Sequence, residues 1–429
     1  MWTMAGYGGS QMLRFVSNVI LTRLLWPEAF GLMVLVNTII LGMEMFSDVG
    51  TRASLIQSKR GDDDLFLRTA FTIKAVRGVA LWVCASALSY PASLFFEKPE
   101  LAYLLPVASF NSVFLGFRAT RTLLASRDLT LGPLTALNLG SQLVAIVVMI
   151  GWAYLWPSVW SLVAGTLVGG AVGTLISHVW FPGRPDRFGW DKSAAQEMYR
   201  FGSWIFLSTA LAFLAGQGDA LLMGRLLSAK DLGVFGIAAN LARMVGEALN
   251  QLGNSVLFPA YSRVFRETPE RVHQVLLKSR LILIAVGTAA YAPFVILGTW
   301  AVELLYDDRY ANAGWMLQTL ACGFMTGLVH RSYGGILHAQ GMSYESTILQ
   351  FFQVAIKFAC FMIGFYWFGL PGFIVGVAFN SWLSYPALAI IMRRAGVWQP
   401  KPDALALLVA AGITVLFLVF PPTGLEFAR

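Results

Sequence analysis

The chain contains the stretch ILTRLLWPEAFGLMV at residues 20–34 and the stretch LLMGRLLSAKDLGVFG at residues 221–236. Both include Arg-Leu-Leu, five further residues and a glycine: the first runs from Arg23 to Gly31, the second from Arg225 to Gly233. A phrase that recurs at the same place in each half of a chain indicates an internal repeat. What the repeat means depends on the kind of segment around each copy.

The amino-acid composition is that of a membrane protein. Of the 429 residues, 57% are hydrophobic and only 13% are charged, which is too little charge to cover a surface exposed to water. Apolar runs near the roughly 20-residue length that crosses a hydrocarbon core recur along the whole chain. Runs such as LVAIVVMI at 143–150 lack the alternation of transmembrane β-strands. We therefore predict an all-α polytopic membrane protein.

Turn-forming residues divide the apolar sequence into candidate membrane spans. The breaks include Trp26-Pro27 and Trp156-Pro157, where proline interrupts an apolar run. The N-terminus lacks the basic segment of a secretory signal peptide, so we expect no cleavable leader. The thirteen predicted spans cover roughly 4–24, 31–50, 69–90, 101–117, 132–153, 160–181, 201–224, 233–257, 281–303, 315–336, 346–366, 373–392 and 403–421.

Lysine and arginine predict the orientation of these spans, because cytoplasmic loops carry an excess of both. Loops after even-numbered spans contain nineteen of these residues, whereas loops after odd-numbered spans and the C-terminal tail contain five. We predict that the N-terminus and the basic loops face the cytoplasm. The net charge of +8 therefore predicts contact with membrane lipids and not with nucleic acid. Stretch 261–280 has the pattern of an amphipathic surface helix.

Each copy of the repeated phrase joins the first and second spans of one half of the chain. Six spans separate the copies, and this even number gives both halves the same orientation. Parallel repeats of this kind are related by an axis along the membrane normal. We predict about 12–14 transmembrane helices in two pseudo-symmetric six-helix lobes around a central lumen. The predicted parts are an N-lobe at 1–182, a cytoplasmic linker at 183–200, a C-lobe at 201–392 and an additional C-terminal span at 393–429.

The residues around both copies resemble a known family of transporters. The first copy extends to SNVILTRLLWPEAFGLMVLVNTII at 17–40, followed by SDVGTRASLIQ at 47–57. The second extends to GQGDALLMGRLLSAKDLGVFGIAANLARMV at 216–245, followed by VLFPAYSRV at 256–264. They look like motifs of the bacterial polysaccharide and oligosaccharide flippases (Wzx-like), whose superfamily includes multidrug and toxin extrusion transporters and lipid II flippases. Twelve or fourteen spans are typical of that family, so thirteen implies a miscounted span or one more after Arg429.

The resemblance implies a transporter and not an enzyme. An isoprenoid-diphosphate-linked oligosaccharide, the repeat unit of a polysaccharide, would cross the bacterial inner membrane by alternating access, driven by an H⁺ or Na⁺ gradient. Partners would be this lipid-linked oligosaccharide, membrane lipids, a polysaccharide polymerase and assembly proteins, and a monomer would suffice. A multidrug exporter or a lipid II flippase is the alternative. Short outward loops and the lack of a Gly-Lys-Ser/Thr loop disfavour an enzyme, and no catalytic residue, metal or cofactor is expected.

Charged residues inside apolar spans mark candidate sites, because a charge that faces lipid is unfavourable. Asn240, Arg243, Glu247, Asn250 and Asn254 recur every three or four residues along one predicted span, and therefore share one helix face. Such a polar stripe forms either the wall of a substrate lumen or a seam of hydrogen bonds within a lobe. We favour the lumen wall.

Four of the other cations inside predicted spans are also candidate site residues. Arg331 and Lys357 are the deepest and are candidates for recognising the diphosphate, because a cation attracts its charge strongly at low dielectric. Lys74 and Arg77 are three residues apart near the start of the third span. Their side chains either extend to the cytoplasmic surface or line the substrate path.

The acidic residues of the spans suggest where an ion gradient could act. Asp219 follows a Gly-Gln-Gly sequence and is the candidate for ion coupling, unless it pairs with a neighbouring arginine. Glu44 and Asp48 lie one turn apart, at either a solvated helix end or the substrate path. The spans contain seven basic and five acidic residues, which favours an anionic substrate over the cations that drug exporters carry.

Overall fold

The computed structural model describes residues 2–48, 50–51, 54–55, 58, 60, 63–128, 130–181, 185–202, 206–253, 257–267 and 269–419. Within these ranges the chain is almost entirely helical and contains no β-strand. The α-helices are, in chain order, α1 Trp2–Leu24, α2 Pro27–Phe46, α3 Asp64–Phe96, α4 Leu101–Ser109, α5 Asn111–Phe117, α6 Arg121–Arg127, α7 Leu131–Leu155, α8 Trp160–Trp180, α9 Lys192–Gly202, α10 Phe206–Leu226, α11 Ala229–Leu252, α12 Phe258–Glu267, α13 Val272–Leu305, α14 Ala313–Ser332, α15 Ile336–Ala339, α16 Ser343–Arg394 and α17 Pro400–Val419.

Each predicted span overlaps a helix of the structure. The spans predicted at 346–366 and 373–392 both fall on α16, where Gly369 has a positive φ of 60° and bends the helix; glycine adopts this conformation without strain. Among the described helices, seven are long and apolar enough to cross a membrane, and eight are if α4 to α6, bent by 66°, counts as one broken span. The prediction of an all-α polytopic membrane protein is confirmed.

Contacts between Cα atoms divide the chain into two compact units. The first unit contains Met1–Phe213 and Ala220–Gly233, and the second contains Leu214–Asp219 and Val234–Arg429. Helices α10 and α11 therefore contribute residues to both units.

The two glycines of the repeated phrase meet inside the first unit. A β-carbon on Gly31 would overlap the carbonyl oxygen of Ala229, and one on Gly233 would overlap the carbonyl oxygen of Pro27. The start of α2 and the start of α11 therefore cross with their backbones in direct contact, which a side chain larger than hydrogen would prevent. The repeat thus supplies both surfaces of a single helix crossing.

The described part of the linker between the predicted lobes is fixed to α3 in the first unit. The Thr72 hydroxyl donates to the Gly189 carbonyl at 2.9 Å, and the Asp191 backbone N–H donates to the Thr69 hydroxyl at 2.9 Å. Hydrogen bonds from the Ser193 hydroxyl and the Arg60 guanidinium lower the pKa of Asp191 to about 2. Residues 183–184 of the predicted linker lie outside the described ranges.

A buried ion pair holds α17 against α13 in the second unit. The Arg280 guanidinium pairs with Asp403, and both side chains are fully buried. Arg280 also lies 3.6 Å from the Tyr333 ring centroid, and the Tyr333 hydroxyl donates to Asp403 at 3.0 Å. The sequence prediction placed Arg280 at the end of the surface stretch 261–280, outside the span predicted at 281–303. Instead, α13 extends over it, because Arg280 finds its counter-ion on a helix more than a hundred residues later.

The amphipathic helix predicted at 261–280 is divided in the structure. Helix α12 ends at Glu267, a 3₁₀ turn covers Pro269–Arg271, and α13 begins at Val272. Only the α12 portion is a separate helix with exposed basic side chains, such as Arg263. Residues 272–280 form the start of the long helix α13, where Val272 and Leu276 are buried in the core of the second unit.

Replacing Gly31 or Gly233 by alanine is expected to lower the free energy of unfolding by about 1–3 kcal/mol or more, because the new methyl group overlaps backbone atoms that have no alternative rotamer. Thermal unfolding of the purified protein in detergent measures the effect. Gly151→Ala is the matched control, since nothing lies within 4 Å of a β-carbon at that position. Three variants with equal melting temperatures would contradict the crossing.

Replacing Arg280 by methionine is expected to destabilise the protein by about 3–5 kcal/mol, because Asp403 is then buried without its counter-ion. The control is Arg263→Gln, which removes an exposed pair with Glu267 and should leave the melting temperature nearly unchanged. An equally small effect of both substitutions would show that the buried pair is dispensable.

Candidate functional site

The second unit contains a cavity of about 500 Å³ between α10, α11, α14 and both arms of α16. This volume is typical of a small-molecule site. Six of the residues singled out in the sequence line it: Asp219, Arg243, Glu247, Asn250, Arg331 and Lys357. The structure therefore brings together residues that are up to 138 positions apart in the chain.

One face of α11 supplies three of these residues. Arg243, Glu247 and Asn250 are spaced by four and three residues, so they point from the same side of the helix into the cavity. Asn240 is exposed and does not belong to the lining. Asn254 lies outside the described residues.

Asp219 of α10 forms an ion pair with Arg243 of α11. The Asp219 side chain is only 3% exposed, whereas that of Arg243 is 31% exposed, so the guanidinium remains open to the cavity. Lys357 of α16 donates to the Ala215 carbonyl of α10 at 2.5 Å and lies close enough to Asp219 for electrostatic attraction. One buried carboxylate is thus shared by two cations.

Arg331 of α14 is positioned by the polar face of α11. Its Nη1 donates to the Gly246 carbonyl at 3.1 Å and to Asn250 Oδ1 at 2.8 Å. A β-carbon on Gly246 would lie 2.7 Å from Arg331 Nη2, so glycine provides the space that the guanidinium occupies. The lining thus contains three basic side chains, Arg243, Arg331 and Lys357, and two carboxylates, Asp219 and Glu247. Its formal charge is therefore positive.

Sequence reasoning missed the uncharged part of the lining. Asn380, Ser381 and Ser384 lie on the second arm of α16, and Gln353 lies on the first arm, one turn before Lys357. The only signal in the sequence was three polar residues at helical spacing in an apolar span. Ser384 Oγ lies 3.1 Å from Nε2 of His330, which also lines the cavity.

Lys74 and Arg77 lie in the first unit and contact protein groups there. Lys74 Nζ donates to the Arg118 carbonyl at 2.6 Å, and Arg77 donates to the Ser47 hydroxyl at 3.0 Å and to the Glu44 carbonyl at 2.5 Å. These bonds join the N-terminal half of α3 to the end of α2 and to the bend after α5. Neither residue belongs to the lining of the 500 Å³ cavity.

A smaller cavity of about 190 Å³ lies in the first unit. Its polar lining residues are Asn37, Glu44, Asn111 and Thr166. Glu44 accepts a hydrogen bond from the Ser112 hydroxyl at 3.3 Å. Glu44 therefore faces a cavity, whereas the sequence left it between a solvated helix end and the substrate path.

Comparison with known proteins identifies relatives by sequence. The family model described as "Polysaccharide biosynthesis protein" matches residues 20–314. The chain is 23% identical over 415 residues to the lipopolysaccharide biosynthesis protein WzxC of Escherichia coli (strain K12), covering 93% of this chain and 83% of the relative. It is also 23% identical to the succinoglycan biosynthesis transport protein ExoT of Rhizobium meliloti (strain 1021), covering 75% of this chain and 64% of the relative.

Solved structures share the fold. The lipid II flippase MurJ in an inward closed conformation superposes with a TM-score of 0.77 at 11% identity, covering 97% of this chain and 92% of that one. An inward-facing multidrug resistance transporter of the MATE family gives a TM-score of 0.69 at 15% identity, covering 94% and 96%. These likenesses show the fold alone. Since the family model matches well over half of the sequence, the chain belongs to the polysaccharide biosynthesis protein family, as the residues around its repeated phrase predicted.

Proposed function

We propose that this protein moves an isoprenoid-diphosphate-linked oligosaccharide, the repeat unit of a polysaccharide, across the bacterial inner membrane by alternating access. The named roles of the relatives, in lipopolysaccharide and succinoglycan biosynthesis, support this substrate class. The orientation follows from the basic loops, with the N-terminus in the cytoplasm. The lobes at 1–182 and 201–392 are the moving parts, 183–200 joins them, and 393–429 adds a further span.

The charge of the 500 Å³ cavity is the observation that carries this proposal. Arg243, Arg331 and Lys357 line one space from three different helices. Guanidinium groups bind phosphate oxygens in a bidentate manner, and an ammonium acts as a point charge. A diphosphate satisfies several such donors at once, whereas a cationic drug would be repelled. The fold is shared with drug exporters, so the charge of the cavity, and not the fold, favours the anionic substrate.

Asp219 is proposed to couple substrate binding to an ion gradient. Its carboxylate pairs with Arg243, so the carboxylate and a phosphate would compete for the same guanidinium. A proton on Asp219 removes that competition. The charged or titratable groups around it are Arg243 and Glu247 of α11, His330 and Arg331 of α14, and Lys357 of α16. A sodium ion bound by the carboxylate would release Arg243 in the same way.

A monomer is proposed to be sufficient for this transport. Transport would deliver a lipid-linked repeat unit to the outer side of the membrane. A polysaccharide polymerase and assembly proteins, which would use that repeat unit, are therefore the expected partners. Lys74 and Arg77 of the first unit are proposed to meet the substrate at the cytoplasmic side before it reaches Arg331 and Lys357.

Replacing Arg331 or Lys357 by glutamine is expected to weaken binding of undecaprenyl diphosphate by about 10- to 100-fold each, because each change removes a charged hydrogen-bond donor. The double variant should abolish polysaccharide export in cells that lack their own flippase. Arg393→Gln is the control, since Arg393 is exposed on the same helix as Lys357 and outside the cavity. Normal export by the double variant, at equal membrane abundance, would refute the role of these cations.

Asp219→Asn is expected to bind undecaprenyl diphosphate more tightly than the wild type at neutral pH, because Arg243 no longer has an internal anion. The wild-type affinity should rise as the pH falls and Asp219 gains a proton, whereas the affinity of the variant should not change through this group. Binding titrations across a pH series, with Asp219→Glu as the charge-preserving control, measure both effects. A pH dependence that is identical in wild type and Asp219→Asn would exclude Asp219 as the coupling group.

A further inference from the structure

The second arm of α16 lines the 500 Å³ cavity with uncharged residues only, among them Asn380 and Ser381, and this uncharged side has hydrogen-bonding capacity that the protein does not use. Asn380 donates to the Val377 carbonyl at 2.6 Å, and this bond leaves its side-chain oxygen available. The side chains of Gln353 and Ser381 make no hydrogen bond within the described part of the chain. Polar groups that line a cavity are stabilised when a ligand or water bonds to them. This side of the cavity therefore matches a ligand with neutral donors and acceptors.

An aromatic ring also lines this cavity. Phe324 is held edge to face against Tyr291, with 6.2 Å between ring centroids. A cavity that combines an aromatic ring with amide and hydroxyl groups is complementary to a sugar ring, which presents C–H groups on its faces and hydroxyl groups at its edge. Drug cations and simple lipid phosphates have no such distribution of groups.

Some of the uncharged lining residues lie next to the cations in the sequence. Gln353 precedes Lys357 by one helical turn, and His330, which lies 3.1 Å from the Ser384 hydroxyl, precedes Arg331. The cavity volume of about 500 Å³ holds a ligand of drug size, and therefore a diphosphate with an attached sugar but not a whole repeat unit. A group bonded to the diphosphate would enter the uncharged side.

We infer that Gln353, Asn380 and Ser381 form a subsite for the sugar residue bonded directly to the diphosphate. This inference depends on the proposed function, since the cations must first hold the diphosphate. The subsite distinguishes a glycosylated isoprenoid diphosphate from the sugar-free lipid, which a purely cationic cavity would bind equally well. It would prevent transport of the bare carrier lipid.

The test compares two probes, undecaprenyl diphosphate and undecaprenyl-diphosphate-linked N-acetylglucosamine, bound to the purified protein in nanodiscs. We expect wild type to prefer the sugar-bearing probe by about tenfold or more, at about fivefold for each hydrogen bond. Asn380→Leu/Ser381→Ala should reduce the preference to about threefold or less and leave the affinity for the sugar-free probe within about twofold. That retained affinity also shows that the variant is folded. Thr347→Ala, which removes a hydroxyl of α16 outside the cavity, should behave as wild type.

The outcomes separate the subsite from the proposed function. A double variant that keeps the full preference overturns the subsite and leaves the cationic site intact. An equal loss of affinity for both probes in the double variant and in Ser381→Ala also overturns it, since these groups would then serve the diphosphate or the fold. If wild type binds neither probe, while Arg331→Gln behaves identically, the proposed function itself fails.

Discussion

The ion pair between Asp219 and Arg243 allows a polar cavity to exist inside an otherwise apolar helical unit. An isolated charge in a membrane span is strongly unfavourable, yet three cations line the cavity. The buried Asp219 carboxylate offsets two of them, Arg243 and Lys357, from one position on α10. Arg331 is stabilised by the Asn250 side chain and the Gly246 carbonyl of α11. The lining therefore has one more cationic than anionic side chain, which is what the proposed anion-binding site requires.

A second constraint is the close approach of α2 and α11 at Gly31 and Gly233. Short side chains at helix contacts matter in membranes, where association depends on close van der Waals packing. The crossing needs the glycine of each copy of the repeated phrase, so a larger residue in either copy would disrupt the same helix contact. Helix α11 begins at this crossing and carries Arg243, Glu247 and Asn250 further along its length. The packing of the two glycines therefore positions the N-terminal end of α11, the helix whose later residues line the 500 Å³ cavity.

The fold is common to transporters of very different cargo, among them a lipid II flippase and a multidrug transporter. A helical framework of this kind does not specify the substrate, and function must be argued from the side chains of the site. Here the lining combines three cations with the neutral amide and hydroxyl groups of α16. That combination fits a bipartite ligand with an anionic and a hydroxyl-rich part. The chain belongs to the polysaccharide biosynthesis protein family, and the net positive charge of its cavity is the physical basis for proposing an anionic cargo.

Hydropathy was enough to predict the helical membrane class, and the residues around the repeated phrase were enough to predict the family. The spacing of Arg243, Glu247 and Asn250 predicted one face of the charged lining. Each of these predictions depends on local periodicity and composition. The sequence could not reveal that Asp219 takes Arg243 as its partner, that Arg280 is buried against Asp403, or that Asn380 and Ser381 face the same cavity as Lys357. Those facts depend on which helix faces which across long stretches of chain. Helical periodicity defines the face of a residue on its own helix, whereas its neighbours on other helices are decided only by tertiary packing.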